Sequence, residues 1–406
     1  MSKLTAAVRR NGWLGVSRLP HWAQAITGHR FLRVHGSPAP CAESSSIVFP
    51  ESSGPVGRNI DVLGSDTGGL EPFTFPPLRV WKLPEAQIVH NSRFNAVLVR
   101  DQLLLSERRE AGPWALYKGR RPRRVGMIHG QSRELVAIRN IGPDERLPQA
   151  LFIGTRAPYN WYHWIANVLP ALYVANCGSV PADVPLVLPD EIKAFPQMMD
   201  SLDIFLKGRE IVWLTRDRVL DVGLVYWADS PVYDAPFSQQ SSNRMPLVLH
   251  REAMVGYRDR ILDHYATALH PLDGPQKVFL GRSSDAARPY NSDEVEGWAQ
   301  EEGFTLCFTD HRSLLEQIAL FRNATHIVGP TGAAWSGLIF AQSHLRALRL
   351  HGGAAEYENY FSNLATITGA TIFDLQGENL HPGIPDDAFR VTRHDFSRAI
   401  RKLLGN

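Results

Sequence analysis

"HIVGPTGAAWSGLIF", residues 326–340, decides how the second half of the chain is interpreted. A short β-branched run ends in a glycine, a Pro-Thr-Gly turn follows, and a run of small residues then begins. The pattern predicts that Thr331, Gly332 and Ala333 form the first turn of a helix directly after a strand. The N–H groups of such a turn lack helical partners and favour an anion, and small residues let a ligand approach the backbone. The stretch therefore predicts a phosphate-binding turn.

Around this turn the sequence alternates between strand-like and helix-like segments. The predicted strands are "KVFLGR", "FTLCFT", "THIVG", "LRALRL" and "TIFDL", and amphipathic segments separate them. Such a series predicts a parallel sheet with helices on both faces, that is, a Rossmann-like unit. The turn-rich "HPLDGPQ" places the start of this unit near Pro271, so we expect a domain over residues 271–406.

Residues 78–270 are predicted to form a second α/β domain. Short β-like pieces fill the stretch from Val80 to Phe152, and alternation begins at Tyr159. In the alternating part "NWYHWIANVLPALYVANC" is predicted as a helix, "VPLVLP" and "EIVWL" as strands, and "MPLVLHREAMVGYRDRILDHYATAL" as a long helix past its proline. The fold class that we predict is α/β, with two α/β halves facing a cleft.

The bulk composition limits the alternatives. The 406 residues exceed one ordinary core and predict two domains, and the net charge of +2 gives no general reason to expect a nucleic-acid partner. No apolar run is long enough for a transmembrane helix. The cysteines Cys41, Cys177 and Cys307 form no pair with metal or disulfide spacing, which favours a reducing compartment.

Residues 1–77 are predicted to be a basic segment followed by an irregular lead-in rich in Pro, Gly and Ser. Six cations precede the first acid, Glu43, and tryptophans lie between them. This segment is either a peripheral membrane-binding element or an ordinary basic N-terminus. The cluster "YKGRRPRR" at residues 117–124 is likewise either an anion or lipid site or a solvated loop.

Several common sites are absent from the sequence. No P-loop, no G-x-G-x-x-G after a strand, no H-E-x-x-H and no G-x-S-x-G occurs. No D-x-D pair occurs either, so sugar transfer from a nucleotide diphosphate would have to use protein cations and dipoles in place of a metal held by that motif.

Two side chains stand out beside the phosphate turn. Arg282 ends the first strand of the C-terminal unit, where ligands bind in open α/β sheets, and Arg288 follows on the same loop. Arg282 is either a diphosphate clamp or a surface arginine. His163, in the aromatic start of the helix at Tyr159–Leu172, is either a general base or a packed, hydrogen-bonded histidine.

Four motifs stand in a fixed order over residues 148–375. They are Asn160–Trp164 with Leu169–Leu172, a strand ending in Arg282 with Arg288 and Asn291, the pair Glu316–Gln317, and Gly329–Ala333 with Leu338–Phe340. This ordered set resembles glycosyltransferase family 61, formerly a domain of unknown function (DUF563), and in particular its bacterial capsular and exopolysaccharide members.

The resemblance implies a GT-B-like fold, with two Rossmann-like domains facing a cleft. It also implies inverting, metal-independent transfer from a nucleotide-sugar, usually a UDP-sugar, to a glycan or lipid-linked glycan acceptor, with no cofactor and no nucleic-acid partner. The expected setting is surface-polysaccharide biosynthesis in the cytoplasm, with peripheral contact to the inner face of the membrane through the basic N-terminus.

The resemblance also assigns roles to residues. Those expected to bind the nucleotide-sugar are Arg282, Arg288, Asn291, Glu316, Thr331, Gly332 and Ala333. Asn160 and Trp164 are expected on the acceptor side. His163 is our candidate for the catalytic base, and an acidic residue such as Glu316 is the alternative. No residue is expected to bind a metal.

Three positions depart from the family pattern. Ala171 stands where arginine is usual, Thr331 where many members have histidine, and Gly337 where asparagine is usual. Positions 171 and 337 keep a rival hypothesis open, a catalytically impaired member that binds nucleotide or glycan as a scaffold. An epimerase with a similar fold and an α/β hydrolase are further alternatives.

Overall fold

The structure, a computed structural model, describes residues 29–35, 38–54, 60–63, 73–91, 94–100, 102–105, 128–129, 135–139, 142–155, 158–216, 218–234, 247–269, 274–282, 289–352, 359–381 and 388–405. The basic segment before residue 29, the cluster at residues 117–124 and Arg288 lie outside these ranges. None of the helices within them is long and apolar enough to cross a membrane.

The first half is built on a large mixed sheet. Its strands and the small hairpins beside it are β1 (His29–His35), β2 (Ser44–Phe49), β3 (Ser52–Gly54), β5 (Phe73–Phe75), β6 (Leu78–Asn91), β7 (Phe94–Val99), β8 (Gln102–Leu105), β9 (Ile128–His129), β10 (Leu135–Arg139), β11 (Glu145–Phe152), β12 (Leu186–Pro189), β13 (Ile211–Leu214), β14 (Val219–Ala228), β15 (Val232–Asp234) and β16 (Leu247–Leu249). Strand β4 (Ile60–Asp61) comes between β3 and β5 along the chain and belongs to the second sheet. The sheet order is β13-β12-β11-β14-β6-β7-β8-β1-β10-β9, with β2 paired beside β6.

Only part of this sheet is Rossmann-like. Strands β11, β12, β13 and β14 are parallel, whereas β6, β7 and β8 form an antiparallel meander that joins at β14. The expectation of a Rossmann-like N-terminal domain is therefore corrected to a mixed sheet, because hairpin-linked strands run antiparallel where no crossover helix separates them.

The helices of this half are α1 (Trp161–His163), a π-helix (Trp164–Val168), α2 (Leu169–Cys177), a 3-10 helix (Asp190–Ala194), α3 (Pro196–Leu206) and α4 (Arg251–His264). The long helix expected past the proline of "MPLVLH" begins only at Arg251. Residues Leu247–Leu249 instead pair with β15, and the His250 side chain caps the helix at the Ala253 N–H. A β-branched and apolar run before the cap explains the later start.

The second half contains the predicted parallel sheet. Its strands are β17 (Lys277–Leu280), β18 (Thr305–Cys307), β19 (His326–Pro330), β20 (Arg346–His351) and β21 (Thr371–Gln376), and a small hairpin follows from β22 (Glu378–Asn379) and β23 (Phe389–Arg390). The helices are α5 (Ser292–Glu301), α6 (Leu314–Asn323), a 3-10 helix (Ala333–Phe340), α7 (Tyr360–Thr368) and α8 (Arg393–Leu404), so the described residues contain eight α-helices in all.

The sheet order is β18-β17-β19-β20-β21-β4, and all neighbours are parallel. Alternate strand residues face opposite layers, since Val278 and Leu280 enter one hydrophobic cluster and Phe279 enters another. Helices therefore cover both faces, as the sequence predicted. The chain reverses its direction of winding between β17 and β19, which makes that point the topological switch of the sheet.

The Pro/Gly/Ser-rich lead-in, expected to be irregular, contributes ordered strands. Strand β2 pairs with β6 of the first sheet, and β4 becomes an edge strand beside β21 of the second. Strands of two to six residues between turn residues carry too little periodicity to be recognised from sequence.

One hydrophobic cluster contains residues from both halves, such as Tyr162 and Tyr257 from the first and Trp335 and Phe361 from the second. The two-domain GT-B arrangement and the boundaries at residues 77 and 270 stay predictions.

Candidate functional site

The carboxyl edge of the second sheet brings two of the predicted segments together. Gly281 and Arg282 follow β17, and Thr331 and Gly332 follow its neighbour β19. Ligands of open α/β sheets bind outside the carboxyl ends of the strands at the switch point. The structure therefore places the arginine and the small-residue turn side by side at the position where this fold forms binding crevices.

Arg282 contacts this turn directly. Its Nη2 donates a hydrogen bond to the Thr331 carbonyl, and the guanidinium is half-buried. A Cβ atom added at Gly332 would lie 2.7 Å from the same Nη2. Because real Cβ atoms essentially never approach a heavy atom that closely, glycine at position 332 is what lets the guanidinium lie against the backbone. The positive charge of Arg282 is thus held beside the Thr331–Gly332 turn.

The turn offers fewer backbone donors than the sequence predicted. Thr331 is buried, and its N–H donates to the Leu350 carbonyl at 2.8 Å, so this N–H does not bind an anion. Trp335 Nε1 donates to the Pro330 carbonyl at 2.8 Å, which holds the start of the turn. The helix that follows is a 3-10 helix, and its first residues, Ala333 and Ala334, precede any intrahelical acceptor. Their N–H groups are therefore the candidate anion donors of this turn.

Asn291 and Glu316 have structural partners. The Asn291 amide donates to the Val391 carbonyl at 3.0 Å and accepts from the Val391 N–H at 2.9 Å, so it ties the start of α5 to the chain before α8. Glu316 forms a capping box with Ser313 at the start of α6 and is exposed. Hydrogen bonds from the Ser313 N–H and hydroxyl lower the pKa of the Glu316 carboxyl. These contacts give both residues a structural role, and their expected roles in nucleotide-sugar binding stay predictions.

His163 lies at the end of a short helix that begins with a side-chain cap. Asn160 Oδ1 accepts from the Tyr162 N–H at 2.9 Å, which starts α1. His163 Nδ1 lies 3.0 Å from Asn167 Oδ1, one helical turn further on. When Nδ1 donates to this amide oxygen, Nε2 carries the lone pair of the neutral imidazole, which is the tautomer that a general base needs.

A π-helical turn follows His163. The Leu169 N–H donates to the Trp164 carbonyl, five residues back. Pro170 has no N–H and its ring would crowd the carbonyl four residues earlier, so ordinary α-helical bonding cannot continue here. Such π-turns are frequent at functional sites. In this chain the turn widens the helix directly after the imidazole.

Aromatic rings join the His163 helix to the phosphate turn. The Tyr162 ring lies 5.5 Å from the Tyr360 ring and 5.6 Å from the Phe361 ring, in edge-to-face geometry. The Phe361 ring lies 6.2 Å from that of Trp335, in the 3-10 helix after the turn. Tyr162 also meets the His163 ring edge-to-face at 5.5 Å. We call Tyr162, Tyr360, Phe361 and Trp335 the aromatic cluster. It brings His163 and the Arg282 turn into one packed assembly.

A buried ion pair packs against the Phe361 ring of this cluster. Arg349 on β20 donates from Nε and Nη2 to the two carboxylate oxygens of Asp374 on β21, at 2.8 and 2.6 Å. The guanidinium lies 5.6 Å from the centre of the Phe361 ring. Neither residue was predicted from the sequence to belong to the site. Their signal was a charge inside each of two apolar strands, "LRALRL" and "TIFDL", which in adjacent parallel strands predicts a pair.

Comparison with known proteins supports an activity. Residues 161–348 match the family model of glycosyltransferase 61. The matched range begins in α1, ends in β20 and includes His163, Arg282 and the phosphate turn. It supports a glycosyltransferase, with a sugar donor and a glycan acceptor as partners. No curated protein matches the chain.

Trp164 belongs to the core. Its side chain is 0% exposed, and its Nε1 donates to Ser201 Oγ at 2.8 Å. The indole therefore has a structural role in the core, and the expectation that Trp164 belongs to the acceptor side stays a prediction. Asn160 is exposed at the start of the same helix and stays a candidate for the acceptor side.

The family departures at positions 171 and 337 are also core positions. Ala171 is 1% exposed. A Cβ atom at Gly337 would lie 2.2 Å from Cε2 and 2.3 Å from Cδ2 of Phe321, a fully buried ring on α6. A side chain at position 337 would point into this ring. Glycine at position 337 therefore leaves room for the Phe321 ring, and its presence gives no argument for lost activity.

Proposed function

We propose that the chain transfers a sugar from a nucleoside-diphosphate sugar to a glycan hydroxyl, with inversion at the anomeric carbon. The observation that carries the proposal is the contact of Arg282 with the Thr331–Gly332 turn at the switch point of a parallel sheet. A fixed guanidinium and the first N–H groups of a helix stabilise a leaving diphosphate at this position. The match of residues 161–348 to the glycosyltransferase 61 model supports the same reaction.

His163 is proposed as the general base. Its Nε2 takes the proton of the acceptor hydroxyl while the hydroxyl oxygen forms a bond to the anomeric carbon. The bond from that carbon to the diphosphate oxygen breaks, and its electron pair leaves with the diphosphate. Arg282 stabilises the charge that develops there, together with the N–H groups of Ala333 and Ala334. Asn167 holds the imidazole in the required tautomer.

The donor nucleotide and the metal requirement stay part of the proposal. We propose a UDP-sugar donor, no metal and no cofactor, and a glycan or lipid-linked glycan acceptor in surface-polysaccharide biosynthesis. Within the described residues no group of three or more His, Cys, Asp or Glu side chains is placed to hold a metal ion. Cytoplasmic location at the inner face of the membrane also stays a prediction.

A binding experiment tests the donor site. Calorimetric titration of UDP into the intact chain should give binding that Arg282→Ala weakens at least tenfold, because a charge-assisted contact to phosphate is lost. Gly332→Ala should weaken it as well, since the new methyl group displaces the guanidinium. Arg398→Ala, an exposed arginine on α8, is the matched control and should not change the affinity.

A turnover experiment tests the reaction. UDP release from a panel of UDP-sugars should require an acceptor, and His163→Ala should reduce it while UDP affinity is kept. Nucleotide binding without any turnover across the panel would favour the scaffold hypothesis. If no nucleoside diphosphate binds the intact chain, the proposed function is wrong.

A further inference from the structure

An exposed phenylalanine stands at the same edge of the second sheet as Arg282. Phe308 directly follows β18, and its residue surface is 44% exposed. The start of its loop is fixed, because Arg312 Nε donates to the Phe308 carbonyl at 2.8 Å. Single exposed apolar residues are common on protein surfaces, so exposure alone gives this ring no function.

The backbone before Arg282 is shaped to receive this ring. A Cβ atom at Gly281 would lie 2.8 Å from Cε1 and 2.9 Å from Cζ of Phe308, and 2.8 Å from Cδ1 of Leu306 on β18. The Gly281 N–H donates to the Cys307 carbonyl at 2.9 Å, which continues the β17–β18 ladder to the edge. The tip of the Phe308 ring therefore lies close to the peptide that immediately precedes the candidate diphosphate clamp.

Three features thus stand in a row along one sheet edge. In the order β18-β17-β19, the edge carries an exposed aromatic ring, then Arg282, then the Gly332 turn. Neighbouring strands are about 4.8 Å apart, so the row spans about 10 Å. A nucleoside diphosphate presents its parts in the matching order, with a flat base at one end, a ribose, and two phosphates at the other.

We propose that Phe308 is the platform on which the nucleobase of the donor stacks. The inference rests on the proposed function, because it assigns the base end of a ligand whose diphosphate lies at Arg282 and Gly332. A phenyl ring stacks on any base, since every base has a π-face. Phe308 therefore contributes affinity for nucleosides in general, and the choice of base is made by other groups.

Titrations with two probes separate base from diphosphate. UDP contains both parts, and inorganic pyrophosphate lacks the base. Phe308→Ala should weaken UDP binding about ten- to hundredfold, the range expected when one base–aromatic stack is lost. It should leave pyrophosphate affinity unchanged, and Phe308→Trp should keep the affinity for UDP. Arg282→Ala should weaken both probes.

Two further variants sharpen the test. Gly281→Ala should weaken UDP binding selectively, because its methyl group displaces the ring without removing it. Ile47→Ala removes an apolar side chain from a residue that is 55% exposed on β2 of the other sheet, and it should change neither affinity. Circular dichroism of each variant checks that the fold is kept.

The outcomes are distinguishable. If Phe308→Ala binds UDP as tightly as the unmodified chain, the stacking inference is wrong while the proposed function stands. If Phe308→Ala weakens UDP and pyrophosphate equally, the ring supports the Arg282 seat and the inference is again wrong. If the unmodified chain binds pyrophosphate but gains no affinity from the uridine of UDP, no base subsite exists. Failure of both probes on the unmodified chain refutes the proposed function itself.

Discussion

Replacing Gly337 by asparagine, the residue that the family resemblance implies at this position, should destabilise the protein and should not improve donor binding. The added Cβ would enter the Phe321 ring, with carbon–carbon distances of 2.2, 2.3 and 2.8 Å. Phe321 is fully buried in the cluster that both halves share, so it has no open space into which it can turn.

The magnitude follows from two terms. Forcing extra atoms into a well-packed core costs about 1–3 kcal/mol. Placing an amide in an apolar cluster without hydrogen-bond partners costs about 1–3 kcal/mol more. We therefore expect a loss of about 2–6 kcal/mol in the free energy of unfolding. With a urea dependence of about 3 kcal/mol per molar, the unfolding midpoint falls by about 0.7–2 M.

Urea unfolding followed by tryptophan fluorescence measures this loss. Gly297→Asn is the matched control, because a Cβ at Gly297 meets no atom within 4 Å and the substitution improves helix propensity in α5. Phe321→Ala makes room for the new side chain. The double variant Gly337→Asn with Phe321→Ala should therefore be more stable than the sum of the two single losses predicts, by about 1 kcal/mol or more.

Two results would refute this reasoning. Additive losses in the double variant would show that residues 337 and 321 do not compete for the same space. A tighter UDP affinity in Gly337→Asn would show that position 337 faces the donor, and the scaffold hypothesis would regain its support.

Further variants test the assembly around the site. Tyr162→Ala should lower kcat more than UDP affinity, because it loosens the packing between His163 and the phosphate turn. Tyr162→Phe keeps the ring and should keep most of the activity. An equal loss of kcat in both variants would contradict a packing role. Asp374→Leu should lower the free energy of unfolding by about 3–5 kcal/mol, because it leaves the buried Arg349 without its carboxylate. The double variant Asp374→Leu with Arg349→Met should recover most of this loss in urea unfolding. If it recovers none, the loss does not come from the ion pair. Burial lowers the pKa of His351, and the charge of Arg349 lowers it further, while Asp374 opposes the shift. Because the pKa of this histidine is higher in the unfolded chain, the unfolded chain binds the extra proton. The free energy of unfolding should therefore fall as the pH drops below about 6.5. His351→Gln should reduce that slope, and an unchanged slope would exclude His351 as its source.

The sequence predicted the parts of the fold that depend on local pattern. The strands around His326–Pro330 are short, apolar and separated by amphipathic helices, so the local pattern predicted where they lie along the chain and that they form a parallel sheet. Arg282 and the Gly332 turn were paired correctly for the same reason, since both follow strands of one parallel sheet. The mixed first sheet was not predicted, because antiparallel pairing with β6 leaves no helix-sized interval to recognise.

Several predicted site residues have structural partners in distant parts of the chain that the sequence did not reveal. Asn291 is bound by Val391, the Thr331 N–H by the Leu350 carbonyl, and Trp164 by Ser201. Each partner lies well outside the local sequence window of its residue, and no local pattern marks it. Glu316 is the exception. The sequence "SLLE" at 313–316 is a recognisable capping box, and it accounts for the carboxylate without reference to a nucleotide.

The aromatic cluster links the proposed base, His163, to the turn proposed to bind the diphosphate. Helix α1 packs on the 3-10 helix that begins at Ala333, and Tyr162 contacts the same Phe361 ring that Trp335 contacts. His163 and the turn are therefore held by shared packing. In the proposed mechanism this packing sets the angle between the attacking hydroxyl and the leaving diphosphate, and misplacement of reacting groups by about 1 Å costs on the order of a hundredfold in rate. We therefore expect a change at the buried Tyr162 or Phe361 ring to lower the transfer rate even though neither ring has a proposed contact with substrate.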